Sequence, residues 1–455
     1  MSASRSVATA PTPARRAAYE VLRRVFEQGA WADRAFPAAV RRHALEGRDR
    51  AQAQRLAYGA VQRRGTSDHL IGLLAERSPA GLDGHLLAAL RLGLYELLYA
   101  AATPDHAAVD QAVELARGEQ ARRGAGLVNA VLRRAARERE TLLAGLGDST
   151  PAEAAIAHSH PEWLAQMWWQ ELGPGVARAL MAADNEPPEN ALRVNTLRVD
   201  PEHIASELVA SGVAIGPRDG PGPAAPESLV IAGPLAERVR DAIEAGLLTP
   251  QSRASMAVVA ALDPKPDERV LDLCAGPGIK TTQIAARMRD EGEVVSVERD
   301  GRRCAEIREL CARLGVSSVR VIEADARDDM GGGYDRVLVD PPCSDLGTLA
   351  SRPDARWRKS GDQIARLAEL QGEILERAAR ALRPGGTLVY STCTISAREN
   401  EAVASAAPLA VDDLGAAHPA LVSSREPRFL QTRPDRDRTN GFFIAGLRAT
   451  ERDRA

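Results

Sequence analysis

The chain has 455 residues, 44% hydrophobic and 4% aromatic, with 59 basic and 62 acidic side chains and a net charge of −3. That length exceeds one ordinary domain and predicts two or three, each able to bury a core. No apolar run is long enough to span a bilayer. Five cysteines, Cys274, Cys304, Cys311, Cys343 and Cys393, make no CxxC pair, which speaks against a disulfide scaffold or a zinc site and for a reducing, cytoplasmic setting.

Residues 1–13 read as a disordered tail. From 14 to 140 the pattern is helical throughout. "ARRAAYEVLRRVFEQG" carries Ala18, Val21, Leu22 and Val25 on one face and stops at Gly29, and "HLLAALRLGLYELLYA" (85–100), "HAAVDQAVELAR" (106–117) and "GLVNAVLRRAARERE" (126–140) repeat it. Five or more helices without a strand predict an all-α domain. Residues 1–140 hold 22 arginines against 15 acids, a net of +7, so the remaining 315 residues carry −10. A polyanion partner and an arginine-rich solvated surface both fit that asymmetry.

Residues 141–247 divide in two. A helical connector carries "PEWLAQMWWQEL" (161–172), whose tryptophans are expected to bury against a neighbour. A small α+β unit follows: strand "ALRVNTLRVD", helix "PEHIASELVASG", Pro/Gly-rich loop, strand "ESLVIAG". From 248 to 450 strands alternate with helices. Strands are predicted at 269–274, 293–298, 318–323, 335–340, 386–391 and 441–447, which implies a doubly wound, mainly parallel sheet with ligands beyond its carboxyl edge.

The distinctive residues fall at that edge. "VLDLCAGPGIKT" is strand, tight turn, helix: Cys274, Ala275, Gly276, Pro277, Gly278, Ile279 and Lys280 form the turn, whose glycines let a ligand approach the backbone. Glu298 ends the next predicted strand, where an acid accepts hydrogen bonds from ribose hydroxyls, and Asp325 after the third can hold an adenine amine. A nucleoside cofactor follows, with NAD and S-adenosylmethionine both open. Asp340-Pro341-Pro342-Cys343 follows the fourth predicted strand and Cys393 the fifth. A thiolate at either position can add to carbon 6 of a cytosine, turning the ring into an enamine that attacks a methyl donor through carbon 5. Asp340 can hold the base's polar edge, and Lys280 can stabilise negative charge. Cys304 and Cys311, seven apart on one helix, suit the core. Arg352, Arg356, Trp357 and Arg358 are candidate RNA or base contacts, or equally surface salt bridges and a packed ring.

"DLCAGPGIKT", "DRVLVDPPCSDLGTLASRPDARWR", "LRPGGTLVYSTCTISARENE" and "NGFFIAGL" resemble, in order and spacing, the Sun/RsmB-type 16S rRNA cytosine-5 methyltransferases. "RVNTLR" and "TPQSRASM" match the same family's segment before the catalytic domain, and the N-terminal helices resemble its NusB-like RNA-binding domain. The resemblance implies a NusB-like domain at 14–140 and a connector with a small RRM-like α+β unit at 141–247. It implies a Rossmann-like class I S-adenosylmethionine-dependent methyltransferase domain at 248–450. It further implies 16S rRNA as substrate; from cysteine spacing and hydropathy no metal and no membrane are expected, and the chain is expected to be a monomer. It assigns attack to Cys393, product release to Cys343, and cofactor contacts to Cys274 through Lys280, Glu298, Asp325 and Asp340. Ile279 stands where the family has glycine, so a positive φ there would weaken the cofactor site. Pro341 and Asn440 also depart from the family pattern. The alternatives are a non-catalytic RNA-binding assembly factor and a methyltransferase acting on another RNA such as tRNA. A nicotinamide-dependent oxidoreductase would need glycine at 281, where the chain has threonine.

Overall fold

The structure, a computed structural model, describes residues 10–100, 103–118, 124–217, 222–223 and 225–449. Most of the expected N-terminal tail, the tip of the Pro/Gly-rich loop and residue 450 lie outside them. The chain forms two compact units: Met1–Pro187 with Leu349–Arg358, and Pro188–Thr348 with Lys359–Ala455.

The first unit is helical. Its opening helix, Pro13–Glu27, starts where the Thr12 side chain accepts from the Arg15 amide and Pro13 presets the backbone. Helices Ala32–Arg42, Gly47–Gln62, Arg64–Ala75, Gly84–Tyr99, Asp105–Arg117 and Ala125–Arg137 follow. Leu22, Leu56, Leu90, Val128 and Leu132 meet in their core with no exposure. Arg15 is buried there, its Nη2 2.7 Å from Glu96 Oε2. In helix Glu162–Leu172, Trp168 is fully buried beside His160, while Trp163 and Trp169 are half-buried. Among the described residues no helix is long and apolar enough to cross a membrane.

The second unit contains two sheets. Strands β1 (Asn190–Val194), β2 (Ser228–Ile231) and β3 (Leu248–Pro250) pair antiparallel in the order β2-β1-β3, with helices Pro201–Ala210 and Glu237–Glu244 in the same segment. The larger sheet holds β4 (Arg269–Leu273), β5 (Glu293–Glu298), β6 (Val319–Glu323), β7 (Tyr334–Val339), β8 (Leu382–Thr392), β9 (Ala410–Asp412), β10 (Leu430–Gln431) and β11 (Phe443–Arg448). Its order is β10-β11-β8-β7-β4-β5-β6, with β9 also on β11. Strands β4 to β8 run parallel, and β11 closes antiparallel on β8. Both faces are apolar because alternate residues serve two cores. Leu271, Val295, Val337 and Leu388 pack with helix Gly361–Ala381, while Val270, Val294, Leu338 and Val389 pack with helices Arg253–Leu262 and Ile279–Arg287. From β4 the chain steps outward through β5 and β6, then returns to the other side of β4 as β7. That reversal opens a crevice between the carboxyl ends of β4 and β7.

Three of the four candidate RNA contacts after Cys343, Arg356, Trp357 and Arg358, have another use, while Arg352 is exposed. Segment Leu349–Arg358 belongs to the helical unit. There Arg356 is completely buried, donating to the carbonyls of Ser159, Asp184 and Leu349 and to Asn185 Oδ1 at 2.9–3.3 Å. Trp357 Nε1 donates to the Val61 carbonyl, and Arg358 pairs with Asp354 at 2.9 Å and lies over the Trp31 ring. A planar guanidinium reaches four acceptors at once, which an ammonium cannot. Arg356→Ala is expected to destabilise the chain by about 3 kcal/mol, read as a lower urea midpoint, because it strands buried carbonyls. An unchanged midpoint with weakened RNA binding would restore the base-contact reading.

Candidate active site

The turn after β4 is shaped by glycine where side chains have no room. A Cβ on Gly276 would lie 2.5 Å from Glu298 Oε2 and 2.8 Å from Arg303 Cδ. Gly278 takes φ +97° and caps the helix that Ile279 begins. Positive φ therefore falls on Cys274 (+62°) and Gly278, and Ile279 is helical. The feared penalty at Ile279 is absent because glycine one residue earlier makes the left-handed step. Arg193 on β1 fixes this first turn: its Nη1 donates to the Ile279 carbonyl at 2.6 Å and its Nη2 to Thr282 Oγ1 at 2.8 Å.

Glu298 lies at the carboxyl end of β5, 6% exposed; its Oε2 accepts from the Gly276 amide at 3.1 Å and its Oε1 from the Asp300 amide at 2.9 Å. Asp325, beyond β6, is clasped bidentately by Arg327, which with the Arg327 amide lowers its pKa to about 2. It stays ionised, but both its oxygens are already engaged by Arg327. Cys274 is pushed well above the ordinary thiol range by burial, and by Asp340, Glu298, Asp272 and Asp325 around it. Of the carboxyls around this turn, Asp272 has its pKa raised to about 7 and Asp325 and Asp340 are paired with Arg327 and Lys280, which leaves Glu298 to face a cationic nucleoside such as one carrying a sulfonium and an ammonium. A carboxylate against the turn amides opposes a pyrophosphate, so the residues present fit S-adenosylmethionine better than NAD.

Across the crevice, Lys280 Nζ meets Asp340 Oδ2 at 2.6 Å and stands 5.0 Å over the Phe442 ring. Burial alone would lower the Lys280 pKa; Asp340 outweighs it and holds the ammonium above its usual value. The thiols come together because β7 and β8 are parallel neighbours. Cys343 Sγ is 3.3 Å from Cys393 Sγ, and Cys393 Sγ is 3.2 Å from Asp345 Oδ1. Cys343 is 8% exposed and Cys393 half-buried. The contact with Cys343, burial, and the Asp345 and Asp340 carboxylates raise the Cys393 pKa well above that of a free thiol, so the resting sulfur is protonated. Cys304 and Cys311 are buried in the sheet domain, as their spacing predicts.

The lock on the two cysteine loops escaped the sequence reading. Ser344 Oγ meets Thr394 Oγ1 at 2.7 Å, joining the residues that follow each cysteine. Glu399, fully buried, accepts from both the Ser344 amide and hydroxyl and from Gln371 Nε2. Gly347 donates to the Cys393 carbonyl, and a Cβ there would lie 1.9 Å from the Gly441 carbonyl oxygen. "ARENE" offers an acid in a polar run as its only signal; the partners of the Glu399 carboxylate, Ser344 and Gln371, come from two distant segments.

Three comparisons bear on this geometry. The family "16S rRNA methyltransferase RsmB/F" matches residues 259–448, the NusB family 12–137, and the ferredoxin-like domain of RsmF/B-like methyltransferases 160–237. A putative methyltransferase of Mycobacterium tuberculosis, Rv1407, is 37% identical over 96% of each chain. A probable ribosomal RNA small subunit methyltransferase B of Bacillus subtilis is 32% identical over 96% of this chain and 99% of its own. The crystal structure of PH0851 superposes with a TM-score of 0.77 at 27% identity, over 96% of this chain and 99% of that one.

Asp272, inside β4, was also missed. It is 1% exposed, its Oδ2 accepts from Thr281 Oγ1 at 2.6 Å, and its Oδ1 is buried without a hydrogen-bond partner among the described residues. Burial raises its pKa from 3.8 to about 7, with Thr281 opposing and Asp340 assisting. The unfolded chain ionises Asp272 first, so its contribution to stability declines as pH rises from about 4 to 7, by roughly 4 kcal/mol, and is level above that. Asp272→Asn should flatten the stability–pH curve across that window, measured by urea unfolding at pH 4.5 and 7.5. A variant curve parallel to the wild type would show that Asp272 is ionised in the fold.

Proposed function

Because the chain belongs to the RsmB/F family of 16S rRNA methyltransferases, we propose that it methylates carbon 5 of a cytosine in 16S rRNA through a transient bond between Cys393 and carbon 6. The observation that carries this reading is the pair of sulfurs 3.3 Å apart beside the Lys280–Asp340 bridge. The turn Cys274–Lys280 with Glu298 and Asp325 would hold S-adenosylmethionine, which would supply an electrophilic methyl group.

Carbon 6 is accessible only once the cytosine leaves its stack. Asp340, its Oδ2 fixed by Lys280, offers a carboxylate to the amino edge of the base. Cys393 gives up its proton and adds to carbon 6, making carbon 5 nucleophilic. When methylation is complete, the carbon-5 proton is lost and the sulfur departs. Cys343, in hydrogen-bonding range of that sulfur, assists its departure. The NusB-type domain, with the arginine excess of residues 1–140, supports RNA as the partner.

The test follows tritiated methyl transfer to small-subunit rRNA. Cys393→Ala should lose transfer, and Cys343→Ala should accumulate a protein–RNA species that survives denaturant. Transfer persisting in Cys393→Ala while Cys343→Ala is dead would reverse the roles.

A further inference from the structure

Cys393 must shed a proton to attack, and its surroundings hold that proton in place: Cys343, Asp345 and Asp340 face the sulfur, with Lys280 beside Asp340. Of these two acids Asp345 accepts a hydrogen bond from the Cys393 thiol, Sγ to Oδ1 at 3.2 Å; Cys343 Sγ lies 4.0 Å from the same oxygen. Its other oxygen is fixed by Lys359, whose Nζ is 3.2 Å from Oδ2 and also donates to the Cys343 carbonyl at 3.4 Å. Lys359 is one of three lysines in the chain, and its side chain is 9% exposed. The Asp345 backbone sits at φ +60°, a region that glycine, asparagine and aspartate tolerate best.

We propose that Asp345 is a catalytic residue of this chain, the group that accepts the Cys393 thiol proton as the sulfur attacks carbon 6. The inference rests on Cys393 as nucleophile. The S–H bond breaks, its proton passes to Asp345 Oδ1, and its electron pair forms the S–C6 bond while the C5–C6 π pair shifts toward carbon 5. When the S–C6 bond breaks, that pair returns to sulfur and the proton returns from Asp345. The carbon-5 proton is a different one and leaves to solvent. A carboxylate in this position opposes a free thiolate at rest yet assists proton departure in the transition state, so the sulfur is guarded until a base arrives.

Those two effects have opposite signs, which makes the proposal testable. Asp345→Asn and Asp345→Gly both suit φ +60°, and calorimetric binding of S-adenosylmethionine reports an intact site. Two rates are compared at pH 7 in the full-length protein: alkylation of Cys393 by iodoacetamide, which needs a preformed thiolate, and single-turnover methyl transfer. Both variants should alkylate several-fold faster and transfer methyl about 10²-fold more slowly, with transfer recovering as pH rises. Both rates falling together would mean a structural role; both unchanged, or both rising, would mean that no proton passes to Asp345. Each outcome overturns the proposal. Cys393→Ala, run alongside, separates the premises: if it remains active the nucleophile is misassigned, whereas an inactive Cys393→Ala with a silent Asp345→Asn removes only the proton acceptor.

Discussion

Parallel pairing of β7 with β8 governs the chemistry of this protein. The register sets Val339 opposite Tyr390, so Cys343 and Cys393 emerge four and three residues further on, at the same edge of the sheet. A slip of one residue would turn each side chain to the opposite face and separate the sulfurs. The sheet brings the loops near one another, and polar contacts complete the alignment. The Ser344–Thr394 hydroxyl pair, the buried Glu399 and the close approach of Gly347 to Gly441 remove the remaining freedom. Free cysteines usually serve as small apolar core residues; here two are held by hydroxyls and carboxylates, which fill a core poorly.

The second organising feature is the sign of the charge around the crevice. Carboxyls at 272, 298, 325 and 340 surround the cofactor turn, and two of the chain's three lysines, Lys280 and Lys359, each pair with an acid beside the sulfurs. Burial and then these acids raise the pKa of Cys274, whereas at Cys393 the contact with Cys343 and burial come first, with Asp345 and Asp340 adding to them. Arginine supplies nearly all the remaining positive charge, much of it in structural roles such as Arg193 and Arg356, where a planar fork satisfies several buried acceptors.

The alternation of strands and helices, the turn after β4 and the two cysteines at neighbouring strand ends were legible in the sequence, because each is a local pattern. Residues that act through distant partners were not. Glu399 and Asp345 lie inside the quoted motifs, yet their partners follow from the β7–β8 register. Arg356 and Trp357 suggested an RNA contact because a charged loop with an aromatic ring follows Cys343; the loop belongs to the helical unit and is spent on buried hydrogen bonds. Strand β3 spans three residues, too short for any periodicity to announce it. Ile279 was a problem only while the positive φ could fall on it, a matter of one residue along the turn.

The most direct measurement uses rRNA bearing 5-fluorocytosine, whose carbon-5 fluorine cannot leave as a proton does, so that a sulfur–carbon bond persists. Peptide mapping of the trapped complex should find the nucleotide on the segment Thr387–Asn400, at Cys393. A crosslink at Cys343 instead, or methylated product with no trapped protein, would contradict the account.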